Sequence, residues 1–334
     1  MNEKHVPVLL ARANSFSIIS LLRQSALLLG NLLGGIYFIT LIIHWFIKDR
    51  IDDLAVVFYM TPLPVLAVLG FLVAGIHQLN RQNRLAKVTL AFASVCLVAW
   101  PVQSLSVSSA THAAGQVRLF FSNTANYKDT NQKVEFIRQD DADIIGLVES
   151  GIKERHQSQW QAAFPDHQVA FLRKQMLVMT KGEIISQESG TLNRRGYYHL
   201  LKIALRGEQF TLLLVDVDAD PMRSRAVVFE PLQKLIRAHA QEKLIVMGDF
   251  NTPLQSTYFE PFREHLYQAF ETSGSGLAET WPQPVPLLTI DHIWVSRKFE
   301  VDHCDLIWSP FSDHRAVAAR IDFPISEELV SKIE

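Results

Sequence analysis

Three long runs free of charged side chains, all beginning before residue 90, constrain this chain more than anything else in it. Gln24 to Ile47 is 24 residues without Asp, Glu, Lys or Arg; Leu54 to Asn80 is a second such run, apolar to about Ile76, and a third starts at Val88 and stays apolar to about Val102 or Val107. A helix needs roughly 20 apolar residues to cross the hydrocarbon core of a bilayer. Helices buried in a soluble bundle normally keep a polar stripe, and a cleaved signal peptide accounts for only one run. The pattern predicts a membrane module over residues 1–103, with spans at about 25–47, 54–76 and 88–107. Pro62 and Pro64 are expected to kink or break the second span, which membrane helices tolerate. Asn31 and His44, in the first run, are expected in a polar helix contact or at the interface.

Basic residues set the expected orientation. Lys4, Arg12 and Arg23 precede the first run, and Arg81, Arg84 and Lys87 separate the second from the third. With three crossings these two flanks share a side, expected to be cytoplasmic. The remainder of the chain then faces the periplasm or the extracellular space of an inner or plasma membrane. Removing one crossing reverses this.

The sequence changes character after the third run. Residues 104–116, rich in Ser, Ala and Thr, read as a tether, residues 117–324 as a globular domain and 325–334 as a tail. Residues 116–334 carry 24 Lys/Arg against 30 Asp/Glu. Such an acidic domain lacks the overall basic footprint of a protein that grips long nucleic acid. Two cysteines, Cys96 and Cys304, are too few for a disulfide framework or a zinc site. Short apolar strands are expected at 117–121, 143–149, 169–172, 177–180, 199–205, 210–217, 243–247, 290–296, 304–308 and 315–321. Helices are expected at 133–139 and from an Asp220 N-cap with Pro221 to about Gln241. Mixed strands and helices with several hairpins suggest two packed sheets covered by helices.

Polar groups recur where these strands stop: Asn123, Glu149, Asp216 and Asp218, Asp249 and Asn251, Asp291 and His292, Asp313 and His314. A rigid scaffold can bring strand ends together in one cleft. Phosphoester hydrolysis needs a hard cation held by oxygen ligands, a base for water, neutral donors for phosphoryl oxygens and a group to steady the leaving oxygen. This set of Asp, Glu, Asn and His can supply all four.

Five segments in order, Ser122-Asn123, Ile144-Ile-Gly-Leu-Val-Glu149, Gly248-Asp-Phe-Asn251, Ile290-Asp-His-Ile293 and Ser312-Asp-His-Arg315, resemble the endonuclease/exonuclease/phosphatase family, with Thr280-Trp-Pro282 also familiar. That family includes deoxyribonucleases, apurinic endonucleases, inositol polyphosphate phosphatases and neutral sphingomyelinases. The resemblance implies a four-layer α/β sandwich, here preceded by three transmembrane helices, and a divalent cation, usually Mg2+ with Mn2+ as an alternative. It implies Glu149, Asn123 and Asp313 at the metal, and Asp249 orienting or activating water. It implies Asn251 on a phosphoryl oxygen, and His314 as the catalytic histidine oriented by Asp291. The roles of Asp249 and His314 are interchangeable at this level, and His292 reads as structural.

One position departs from the family's pattern. Many members carry a histidine at the end of the strand before the long helix; this chain has Asp218. An anion beside a phosphate is repulsive unless a cation intervenes, and Arg223 or Arg225 is a candidate to supply that charge at the substrate. The expected function is a membrane-anchored, metal-dependent phosphoesterase. Its phosphodiester or phosphomonoester substrate is a lipid, a small molecule or a nucleic acid, with the acidic charge against the last. The other reading is a catalytically weak, membrane-bound binding module of the same fold. A transporter built from the spans is disfavoured because they contain no paired intramembrane charge.

Overall fold

The computed structural model of the chain describes residues 6–108, 117–152 and 156–322. Most of the expected tether, the expected tail and Lys4 lie outside the described residues. The chain divides into two compact units, Met1–Gln103 and Ser104–Glu334.

The first unit is helical: α1 (Val6–Ile42, continued as a π-helical turn to Ile47), α2 (Asp52–Met60), α3 (Leu63–Leu79) and α4 (Asn83–Ser104). Ser20–Ile47 and Asn83–Ser104 are each long and apolar enough to cross a membrane. α2 and α3 pass that test only together, bent by 79° at the break. The break falls at Thr61-Pro62, where Pro62 is extended and Pro64 occupies the first turn of α3, the position a helix start tolerates.

α3 runs antiparallel along α1. Asn80 Nδ2 donates to the Ala26 carbonyl at 2.9 Å, and Gln82 Nε2 donates to Asn31 Oδ1 at 2.7 Å. Further along, the Tyr37 ring lies against Gly70, where any side chain would collide with it. Leu41 and Leu63 close the same packed cluster. Close approach over small residues, with polar residues bridging the helices, is how helices associate where the surroundings are apolar.

The second unit begins differently from the expected tether. Leu105–Val107 is a short strand, β1, paired antiparallel with Ser275–Leu277, and the expected third span accordingly stops at Ser104. Leu105-Ser106-Val107, at the end of an apolar run, is legible as either helix or strand, and the partner strand decides.

From there the order is β2 (Val117–Asn123), α5 (Thr130–Arg138), β3 (Ile144–Val148), α6 (Gln157–Ala163), β4 (Gln168–Phe171), β5 (Leu177–Thr180), β6 (Glu183–Thr191), β7 (Gly196–Leu205), β8 (Glu208–Val217), α7 (Ala226–Ala238) and β9 (Leu244–Asp249). The chain continues with α8 (Glu260–Arg263), β10 (Leu266–Gln268), α9 (Ala269–Ser273), β11 (Ser275–Leu277), β12 (Asp291–Ser296), β13 (Glu300–Ile307) and β14 (Ala316–Asp322). Two six-stranded mixed sheets result, in the orders β13-β14-β2-β3-β5-β4 and β10-β12-β9-β8-β7-β6.

Alternating apolar residues of both sheets, among them Leu119, Phe121, Val178, Leu212, Leu214 and Met247, fill the space between them. The outer face of one sheet packs under α5 and α6 through Phe136, Ile137 and Trp160. The outer face of the other is covered through Val228, Phe229, Leu232 and Ile236 of α7 and Phe259 and Phe262. This is the expected four-layer sandwich. Each sheet contains one parallel pair, β2 with β3 and β8 with β9, joined across α5 and α7. Parallel pairing places the C-terminal ends of both strands at the same edge. The antiparallel neighbours β12 and β14 begin at that edge, so their N-terminal residues arrive there too.

α7 starts at Ala226, six residues later than the expected Asp220 cap. Asp220 instead accepts from the Met222 amide at 3.0 Å and pairs with Arg223 at 2.7 Å, closing a local turn ahead of the helix.

Candidate active site

The strand ends meet at one edge. In β9 and β12, Asp249 stands directly opposite Asp291, and in β8, Asp216 stands opposite Asp249. Asn123 ends β2, Glu149 follows β3 and His314 precedes β14. Asn123, Asp249, Asp291 and His314 are all buried.

Asn123 joins the two sheets. Its Nδ2 donates to Asp249 Oδ2 at 2.9 Å and to Glu149 Oε1 at 3.3 Å, while its Oδ1 accepts from the Ala125 amide at 2.9 Å. Glu149 has φ +46° and Asn251 also has φ +46°, left-handed conformations that non-glycine residues adopt at a cost. Local bonds hold each in place. Asn126 Nδ2 donates to Glu149 Oε2 at 2.8 Å, and the Glu149 carbonyl accepts from Thr124 Oγ1 at 3.0 Å and from the Asn126 amide at 2.7 Å. The Asn251 amide donates to Asp249 Oδ1 at 2.8 Å, and Asn251 Nδ2 donates to the Val217 carbonyl at 2.8 Å. Gly248, one residue before Asp249, lies against the Val215 carbonyl of β8, where a Cβ would collide with main chain.

His314 Nδ1 lies 2.9 Å and 3.2 Å from the two carboxylate oxygens of Asp291 and 4.0 Å from Asp249 Oδ2. Ser312 fixes the turn that delivers His314: its hydroxyl donates to the Asn123 carbonyl at 2.8 Å and accepts from the His314 amide at 3.1 Å. The Thr280-Trp-Pro segment serves the same corner. Thr280 Oγ1 accepts from the Ile290 and Asp291 amides at 3.1 and 3.2 Å, and Trp281 Nε1 donates to Asp313 Oδ2 at 2.8 Å. Asp313 is half exposed, with Oδ1 3.9 Å from His314 Nε2.

Charge at this edge is unbalanced. Burial disfavours the His314 imidazolium, but the Asp291 charge and hydrogen bond, then Asp249 and Asp313, outweigh it and raise its pKa to about 10. Asp216 is pushed up to about 7, first by burial and then by the charge of Glu149. Asp249 is raised well above the carboxylate range by burial and then by Asp291, against the pull of His314. Several converging carboxylates thus repel one another with one imidazolium between them.

Oxygen donors in excess of local positive charge are what a hard divalent cation requires. One donor atom each of Asp249, Asp291 and His314 lie within 4.8 Å of one another. His314 is already engaged as an imidazolium with Asp291, so the oxygen donors Glu149, Asn123, Asp216 and Asp249 suit a hard cation better. Asp313 is held by Trp281 on the far side of His314.

Arg223 pairs with Asp220 at an exposed position. Arg225 is buried and donates to the Asp218 carbonyl and, at 2.8 Å, to the Asn251 carbonyl, strapping two loops at the rim. His292 is buried among Phe250, Phe259 and Trp294.

Asp218, where the family's histidine is expected, meets a cation that the sequence reading missed: Arg195 Nη1 donates to Asp218 Oδ2 at 2.8 Å. That hydrogen bond, against the opposing effect of burial, leads in holding the Asp218 carboxyl below its ordinary value. Arg195 belongs to the β6–β7 hairpin, far away in sequence, and only strand pairing reveals the contact. Arg194, Arg195, Tyr197, Asp216 and Asn251 line a cavity of about 370 Å3 together with Glu149.

Two stacked mixed sheets between helices, with carboxylates, amides and a carboxylate-paired histidine converging at one edge, define the class of metal-dependent phosphoester hydrolases. The profile of the Endonuclease/Exonuclease/phosphatase family matches residues 122–314, and the chain belongs to that family. The fold is similar to a family protein from Bacteroides thetaiotaomicron (TM-score 0.53, 15% identity, covering 64% of this chain and 100% of that one). It is also similar to the mannosyl-6-phosphatase of the same species (TM-score 0.51, 17% identity, 62% and 100%). A humanized D. rerio TDP2 shares it as well (TM-score 0.50, 12% identity, 62% and 99%). No curated protein matches the chain in sequence.

Proposed function

We propose that this chain is a phosphoesterase tethered to a bilayer by its N-terminal helices, acting on a lipid or small phosphoester at the cleft beside Glu149 and Asn251. The observation that carries the reading is the convergence of Asn123, Glu149, Asp249, Asn251, Asp291 and His314 from both sheets onto one edge.

Asp249, raised in pKa and held by Asn123 and the Asn251 amide, is suited to orient water and accept its proton. Asn251 sits at the cleft to hold a phosphoryl oxygen, and Asn123 carries the equivalent amide beside Glu149. Asp291 fixes the His314 ring so that Nε2 faces away from it, carrying a proton for the developing charge or leaving oxygen. Glu149, assisted by Asn123 and Asp216, would hold Mg2+ (Mn2+ being the alternative), and a bound cation would supply charge neutralisation of the phosphoryl oxygens. Asp313 is kept for a contact on the exposed side of His314. Arg225 acts on the substrate through the loops it straps, and Arg195, with its charge shared by Asp218, stands at the cleft where the family pattern has a histidine.

The substrate preference rests on charge and tethering. The catalytic half is acidic overall, which opposes a long polyanion, and a membrane tether brings site and lipid to one surface. The test is turnover by the full-length protein in detergent of bis(p-nitrophenyl) phosphate, phospholipids, DNA and RNA, with Mg2+, Mn2+ or chelator. Metal-dependent turnover that disappears in Asp249→Ala is expected. Wild-type protein inert towards all of these with either metal supports the binding-module reading instead.

A further inference from the structure

Beside the catalytic cleft lies a second cavity of about 340 Å3, lined by Arg173, Lys174, Ser189, Thr191, Tyr197 and His199 among others. Tyr197 lines both cavities, so the two are adjacent. Within a domain that is net acidic, this corner is basic. Arg173 and Lys174 come from the turn between β4 and β5, and Arg194 and Arg195 from the hairpin between β6 and β7. Of the four, Arg195 alone has an acidic partner among the described residues, Asp218.

The turn is built to present these cations. Lys174 has φ +61° and Gln175 φ +59°, a conformation that residues with a Cβ rarely keep without a reason. It sets the Lys174 ammonium 4.7 Å from the centre of the Tyr197 ring, a cation–π contact that orients a flexible side chain over the cavity. His199 pins the other side. Its Nε2 faces the Arg173 carbonyl at 3.2 Å and its Nδ1 faces Ser189 Oγ at 2.6 Å. A carbonyl only accepts, so Nε2 carries a proton. Burial lowers the His199 pKa, which favours the neutral ring with Nδ1 accepting from the hydroxyl, and the positive charge comes from Arg173 and Lys174.

We propose that this cavity is a second anion subsite, binding a phosphate group that the substrate carries in addition to the scissile one. A planar guanidinium fork beside an ammonium, with no carboxylate among the described residues that line the cavity, matches phosphate. The cavity has the size of a small-ligand pocket, fitting one phosphorylated polyol or headgroup. The proposal rests on the phosphoesterase reading for the scissile group and adds the substrate class: a small molecule, or the headgroup of a lipid, bearing at least two phosphates.

The subsite is tested first without catalysis. The full-length protein in detergent, with chelator present, is titrated with inorganic phosphate by calorimetry. Wild type and Asp249→Asn are expected to bind alike, and the Arg173→Gln/Lys174→Gln double variant about tenfold or more weaker. The charge-conserving Arg173→Lys/Lys174→Arg pair should bind within a few-fold of wild type, and both positions are exposed, so neither variant threatens the core. No phosphate binding by wild type, or equal binding by the double Gln variant, overturns the proposal.

Kinetics then separate the source of the phosphate. In the double Gln variant, kcat/KM should fall about tenfold further for glucose 1,6-bisphosphate, or for phosphatidylinositol 4-phosphate in mixed micelles, than for bis(p-nitrophenyl) phosphate. Whichever probe shows the fall identifies a soluble or a lipid substrate, and a uniform fall for all three overturns the proposal. Absence of turnover of every ester by wild type defeats the phosphoesterase reading alone, and the phosphate titration then decides the subsite.

Discussion

Arg195 donates to Asp218 at 2.8 Å, and the Asp218 amide donates back to the Arg195 carbonyl at 2.7 Å. An acidic residue at the cleft, which alone repels a phosphate, is thus part of a reciprocal two-bond lock that presents a guanidinium. The pair is partly exposed, so its worth to stability is modest, and its importance is expected in substrate binding. Arg195→Gln should remove the cation hydrogen-bonded to Asp218 at the cleft and raise KM for a phosphodiester about tenfold or more, with a smaller effect on kcat. Asp218→His, restoring the residue type of the family pattern, should recover activity relative to Asp218→Ala. Steady-state kinetics on the three variants checks this, and equal KM values in wild type and Arg195→Gln would exclude a binding role for the pair.

The His314–Asp291 pair makes a pH prediction. With its pKa raised to about 10, against an ordinary 6.5, His314 stays protonated through neutral pH. Because the folded-state pKa is the higher one, the pair's contribution to stability is fully present below about pH 6.5 and is lost as pH rises through about 10. Asp291→Asn removes the chief stabiliser of the imidazolium while leaving its burial, so the pKa should fall to or below the ordinary histidine value. The alkaline limb of the pH–activity profile should move to lower pH, with kcat at neutral pH reduced about a hundredfold or more. NMR titration of the His314 ring in wild type and variant is the direct measurement.

Gly248 supports Asp249 by what it lacks. Any Cβ there would meet the Val215 carbonyl of the neighbouring strand, and main chain cannot swing aside as a side-chain tip can. Gly248→Ala should therefore wedge β8 from β9, cost about 1–3 kcal/mol of stability, and displace Asp249 and Asn251 together. Thermal denaturation alongside kcat tests it: an unchanged melting temperature with full activity would show that the contact is not tight.

Much of this architecture was legible in the sequence, for identifiable reasons. Buried strands such as Leu177–Thr180 are short apolar runs between turn residues, and the structure places that strand at those bounds. β6 is not among the expected strands: it is an edge strand whose residues are mostly exposed, so it lacks an apolar alternation to read. The motif residues were visible because each sits at the end of an apolar run. Asp216 has no defined place in the sequence pattern, since its apposition to Asp249 depends on β8 pairing in parallel with β9. The cations Arg173, Lys174, Arg194 and Arg195 carry no local signal, being turn residues whose convergence depends on hairpin geometry.

In a bilayer, the side that the catalytic half occupies would turn on whether the α2–α3 pair, bent by 79°, is one crossing or a re-entrant loop. α3 alone is 17 residues, about 25 Å long, somewhat short of a hydrocarbon core of about 30 Å. Its contacts favour a crossing: it lies antiparallel against α1 from Asn80 beside Ala26 to Gly70 beside Tyr37, and its start joins the Leu41 cluster. This brings Arg81, Arg84 and Lys87 to the end of α1 that carries Arg23, the arrangement in which both basic flanks can remain cytoplasmic. A re-entrant pair would leave one of them outside. Three crossings put residues after Ser104 on the periplasmic or extracellular side. Single cysteines introduced at exposed Arg84 and Glu300, in a chain with Cys96 and Cys304 replaced by Ala, should show this in intact cells. A membrane-impermeant maleimide is expected to label Cys at 300 and spare Cys at 84. Labelling at 84 with protection at 300 would place the site on the cytoplasmic side and make α2–α3 a re-entrant element.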